Sequence, residues 1–94
     1  MGITIKFVGA FRGLSGRDKL EIPHNDAIAL KYIVKEITEK LPQLNHALID
    51  SELQDPRPNT LIIVNGKEIS VLNGLDTMLK NGDEVVFVPV VHGG

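Results

Sequence analysis

The chain has 94 residues, enough for one domain and too few for two cores. It contains no cysteine, which excludes a disulfide framework, a thiolate zinc site and a cysteine nucleophile. Twelve acids against ten bases give a net charge of −2, so no basic field draws the chain to nucleic acid, and four aromatic side chains are too few for base stacking as a main activity. No apolar run reaches the length of a membrane span, and the start, MGITIKFVGAF, lacks the basic segment of a secretory signal. A cytoplasmic protein without membrane or nucleic-acid partners is the expectation.

Ile3, Ile5 and Phe7 alternate with Thr4 and Lys6, the pattern of a strand with one apolar face. Gly9–Gly16 (GAFRGLSG) interrupts it, and alternation resumes over Asp18–Ile22. These segments read as a hairpin with a plain glycine-rich connection. The glycine spacing is neither GxGxxG nor GxxxxGK[ST], so a phosphate-cradling loop is not expected.

Asn25 or Asp26 can cap a helix that follows. From Asp26 to Leu41 the residues Leu30, Ile33, Val34, Ile37 and Leu41 recur at spacings of three and four, which predicts one amphipathic helix stopped by Pro42. A short second helix is expected around residues 43–51 and a polar surface loop over 50–58. Thr60–Val64 reads as a strand, Asn65-Gly66 as a tight turn and Lys67–Val71 as the return strand. Asn73-Gly74 marks another turn, and Asp76 can cap one helical turn over 76–80. After a turn at Asn81-Gly82-Asp83, Glu84–Val91 is the last strand.

One amphipathic helix and two hairpins bury their apolar faces most economically when the helix crosses one face of a mixed sheet. The last strand is apolar on both faces, which places it centrally, paired in parallel with the first. The expected fold is an α+β β-grasp, or ubiquitin-like, roll: one domain over 1–94 with a flexible C-terminal tail at 90–94. Val85 and Phe87 are expected to face the helix. Val86 and Val88 then face away, on a sheet side that also carries apolar residues of the 61–64 run. An exposed apolar surface of that kind marks a partner site, unless the segment 42–60 folds over it.

Catalytic groups are sparse. His24, His46 and His92 lack metal-pair spacing and read as solvated, and Ser15, Ser51 and Ser70 stand in no nucleophile elbow. The informative feature is the run Pro89-Val90-Val91-His92-Gly93-Gly94. Two residues without Cβ let a backbone enter a slot too narrow for any side chain. Such a tip delivers an α-carboxylate, ionised and inert at neutral pH until another enzyme converts it to a mixed anhydride. Sulfur can then capture it as a thiocarboxylate, or an amine as an amide. A frayed terminus is the plain alternative.

The run NGDEVVFVPVVHGG, Asn81 to Gly94, resembles the ending of the ThiS/MoaD ubiquitin-like sulfur carriers. Phe7, Arg12, Leu14 and Gly16 resemble the family's first hairpin with a shifted offset, and Asn65-Gly66 and Leu79 match as well. The resemblance is closest to MoaD, the small subunit of molybdopterin synthase. It implies a protein that is no enzyme by itself and binds no cofactor. A MoeB-like activating enzyme would use ATP to adenylate Gly94, which would become a thiocarboxylate and donate sulfur to a pterin precursor within a MoaE-like large subunit. Gly93, His92, Val91, Val90, Pro89, Val88 and Val86 would contact these partners. His92 and the long loop 51–59 depart from that pattern. They leave open a carrier for transfer RNA thiolation or thiamine thiazole, or a modifier conjugated to lysines.

Overall fold

The computed structural model describes residues 2–90. Its five-stranded mixed sheet has the order β2-β1-β7-β4-β5. The strands are β1 (Ile3–Phe7), β2 (Lys19–Ile22), β4 (Thr60–Val64), β5 (Lys67–Glu68) and β7 (Glu84–Pro89). As expected, β1 and β7 lie side by side in parallel at the centre, with Ile5 opposite Val85 and Phe7 opposite Phe87. The two phenylalanine rings stack at 6.3 Å between centroids. A short second sheet pairs β3 (Ile28–Ala29) with β6 (Met78–Leu79).

The main helix, α2 (Leu30–Lys40), buries Leu30, Ile33, Val34 and Ile37, four members of the predicted stripe. They pack with Ile3, Ile5, Phe7, Ile62, Val85 and Phe87 in one core. Val85 and Phe87 face this core, and alternation turns Val86 and Val88 away from it. Leu44 and Leu48 seal its end from a 3-10 turn (Pro42–Leu44) and α3 (Asn45–Leu48), which together replace the single helix expected over 43–51.

Three local expectations fail, each because a tertiary contact outweighs a local preference. The Gly9–Gly16 connection contains a six-residue helix, α1 (Ala10–Ser15). Phe11 and Ser15, four apart, are buried on one side of it, and burying a phenylalanine outweighs the poor helix propensity of Gly13. The main helix starts at Leu30 rather than Asp26, and neither Asn25 nor Asp26 caps it. Ala29 is extended at ψ 144°, and the Leu30 N–H donates to Thr77 O at 2.8 Å, so a partner strand satisfies the helix start. No helix forms over 76–80. Gly74–Asp76 makes a 3-10 turn, and Met78–Leu79 pairs with Ile28–Ala29. One isolated helical turn fixes many dihedrals for few bonds, and the ladder satisfies the same groups at lower entropic cost.

The return strand after Asn65-Gly66 is also shorter than expected. It spans Lys67–Glu68, and Ile69–Val71 form a 3-10 turn that buries Ile69. The turn itself has positive φ at both residues, 49° and 83°, the geometry of a two-residue hairpin.

Candidate functional site: the outer sheet face and the root of the C-terminal run

The sheet face away from α2 is built by alternation. Lys6 and Ile63 flank Val86, Leu61 lies opposite Val88, and the Val8 N–H donates to Phe87 O at 3.4 Å, which brings Val8 alongside. Val8, Leu61, Ile63, Val86 and Val88 thus form one apolar surface across three strands. Val8 and Leu61 keep 37% and 38% of their area in solvent, while Ile63, Val86 and Val88 are half-buried by one another. Such a surface, uncovered by any other described residue, fits a docking site.

Charged residues frame this surface. Lys6 Nζ and Glu84 Oε2 pair at 3.0 Å, and Lys19, Glu21 and Glu68 share the face by register. The segment 42–60 does not cover it. Leu44 and Leu48 enter the core, Thr60 donates through Oγ1 to Leu48 O at 3.0 Å, and Ile49 and Pro56 line a cavity against α2 on the opposite side. In the loop itself, the Arg57 guanidinium donates to the Asp55 carboxylate and holds that carboxyl below its ordinary value.

The root of the C-terminal run is fixed by two contacts. Pro89 faces Thr60 in the ladder but has no N–H, and the ladder closes one residue later, where the Val90 N–H donates to Asn59 O at 2.9 Å. On the other flank Gly9 adopts φ 57° and ψ −134°, a conformation that side chains resist, and a Cβ there would meet Pro89 Cγ at 3.2 Å. Gly9 is therefore the close-approach point that seats Pro89, a role its place in a glycine-rich stretch did not reveal. Gly9→Ala is expected to cost ~1–3 kcal/mol, measurable by chemical denaturation.

Of the predicted contact residues, Val86, Val88 and Val90 alternate onto the outer face, while Pro89 lies opposite the buried Thr60 and turns to the other side of the sheet. Val91, His92, Gly93 and Gly94 lie outside the described residues. Val8, Leu61 and Ile63 join the patch without having been singled out. The unbroken run 61–64 signalled that both faces of β4 are apolar, but not which residues face outward.

Other chemistry is thin. Among the described residues no group of three or more His, Cys, Asp or Glu is placed to hold a metal ion. His24 is half-buried rather than solvated, its Nε2 3.1 Å from Glu36 Oε1, while His46 is exposed on α3. No described helix is long and apolar enough to cross a membrane.

Comparison with known proteins settles what kind of molecule carries this face. The profile of the ThiS family matches residues 5–94. The chain belongs to the ThiS family. Small archaeal modifier protein 3 of Haloferax volcanii is 26% identical over 94 residues, with both chains fully covered. A ubiquitin-related modifier 1 homologue of Caenorhabditis elegans is 24% identical over 96 residues, covering 98% of this chain and 95% of that protein. The solution structure of small archaeal modifier protein 1 from Methanosarcina acetivorans superposes with a TM-score of 0.84 at 25% identity, covering 98% and 95% of the two chains. The β-grasp architecture expected from the sequence is thereby shown, as is membership of the ubiquitin-like sulfur carriers and modifiers. The finer MoaD assignment is not what these relatives favour: their names are those of modifiers.

Proposed function

We propose that this ThiS-family protein is a ubiquitin-related sulfur carrier and protein modifier whose reactive group is the Gly94 carboxyl. The reading rests on one observation: a family match that runs through Gly94, on a chain whose outer apolar face leads directly to Pro89 and Val90. The molybdopterin synthase reading of the same carboxyl is the less favoured one, because the full-length relatives are modifiers.

The chemistry follows from the carboxylate. An activating enzyme of the MoeB-like, ubiquitin-activating type docks on the outer face and aligns Gly94 with ATP. A carboxylate oxygen attacks the α-phosphorus, pyrophosphate leaves, and the acyl carbon becomes electrophilic. A sulfide-level nucleophile then attacks that carbon and expels AMP, leaving a thiocarboxylate. A lysine amine attacking the same activated carbon expels AMP and loses a proton, giving an amide. The chain presents the carboxyl and the docking face, and Gly93, His92 and Val91 thread the partner's channel from a root held at Val90, which meets the channel mouth.

The acceptor is tested in cells expressing a tagged chain. The proposal predicts lysine conjugates or loss-sensitive transfer RNA thiolation, both dependent on Gly94. Stable capture of a MoaE-like large subunit, with molybdenum cofactor loss on deletion and neither conjugates nor transfer RNA effects, would replace it with the molybdopterin synthase reading.

A further inference from the structure

Three asparagines precede glycine in this chain, at positions 65, 73 and 81. The pair is chemically special. Without a Cβ on the glycine, its backbone nitrogen can reach the asparagine side-chain carbonyl carbon. The new N–C bond closes a five-membered imide and ammonia leaves, carrying off the proton that the glycine amide gives up. Water then opens the ring at either carbonyl, giving aspartate or, with the main chain rerouted through the side chain, isoaspartate.

All three asparagines are exposed, so access to water does not distinguish them. Hydrogen bonding does. Asn65 donates through Nδ2 to Asp83 Oδ1 at 3.0 Å and accepts at Oδ1 from the Glu84 N–H at 2.9 Å. Asn81 donates through Nδ2 to His24 O at 2.7 Å and accepts at Oδ1 from the His24 N–H at 3.1 Å. Its would-be nucleophile, the Gly82 N–H, is itself donated to Gly2 O at 3.0 Å. Both side chains must break two bonds before the imide can form. Asn73 uses its backbone groups, with its N–H donating to Thr77 Oγ1 and its carbonyl accepting from Asp76 N–H. Its side-chain amide has no hydrogen-bond partner among the described residues. Gly74 opens a 3-10 turn, where the N–H has no acceptor within the turn.

We propose that Asn73 is a site of spontaneous deamidation in the folded protein, and that its isoaspartyl product is a substrate for carboxyl-methylating repair chemistry. The position matters for the molecule. Gly74 lines, with Arg57, Leu61 and Val90, a cavity of about 160 Å³, so an added backbone methylene falls beside the root of the C-terminal run.

The test is incubation of the purified full chain at mildly alkaline pH, followed by peptide mapping. An isoaspartate-specific methyltransferase with labelled S-adenosylmethionine serves as an independent readout. In the folded chain, the peptide carrying residue 73 is expected to gain one mass unit about tenfold or more faster than those carrying 65 and 81, roughly the factor for breaking one ordinary hydrogen bond. Methyl incorporation should map to the same peptide, and both signals should vanish there in Asn73→Gln. In urea the advantage should collapse as all three pairs lose their partners. Equal or faster reaction at 65 or 81 in the folded chain, or no reaction at 73 while the unfolded chain reacts, would overturn the proposal.

Discussion

Deletion of Gly94 is expected to leave thermal and chemical stability within about 0.5 kcal/mol of the parent while abolishing activation by the partner enzyme. The stability half follows from where the core sits. Its buried side chains run from Ile3 to Phe87, and the sheet ladder closes at Val90. The activity half follows from reach. Losing one residue moves the carboxylate back by ~3.5 Å along an extended backbone. A misplacement of even ~1 Å at a reacting atom can cost about 100-fold, so a carboxyl set for in-line attack on ATP does not survive that retreat. Appending one residue should fail for the same reason. Adenylation of the shortened chain at the parental rate would place the reactive group elsewhere.

The second large effect separates two neighbours in β7. Phe87 is fully buried against α2 and stacks on Phe7, so Phe87→Ala should cost ~3–5 kcal/mol and lower the unfolding midpoint sharply. Val88, one residue on, points to the outer face opposite Leu61. Val88→Asp should cost ~1 kcal/mol of stability, as strand preferences on an open face do. It should instead weaken docking of the activating enzyme by ~2 kcal/mol, about 30-fold, because a carboxylate would be desolvated at the centre of an apolar contact. Calorimetric denaturation and a binding titration on the same pair of variants check both halves. Normal docking of Val88→Asp and Val86→Asp would remove the outer face from the account.

The fold was largely legible because its long-range rules act through short-range patterns. The period of two in Ile3-Ile5-Phe7, the helical stripe from Leu30 to Ile37 and the Asn65-Gly66 turn each dictate a local geometry, and one layered arrangement buries them all. The failures share a cause. Phe11 makes a helix of a glycine-rich stretch because the core accepts its ring. Thr77 O, not Asn25 or Asp26, starts α2 because the residue leading into β6, far downstream in the chain, lies beside it. Neither contact has a local signature. At the candidate site, alternation assigned Val86 and Val88 to the outer face, but Val8, Leu61 and Gly9 acquire their roles from register and close packing. The resemblance to MoaD is most specific in the run from Asn81 to Gly94, with weaker matches at Phe7, Arg12, Leu14, Gly16, Asn65-Gly66 and Leu79. In the proposed function the same Gly94 carboxyl serves every branch, so the residues that carry the family resemblance do not name the acceptor.

The most direct measurement is intact-mass analysis of the full chain after incubation with its cognate activating enzyme, ATP and a sulfur donor. An AMP-linked species followed by exchange of one oxygen for sulfur is expected, both localised to Gly94 by fragmentation. An unmodified Gly94, under conditions where that enzyme hydrolyses ATP and engages the chain, would contradict it.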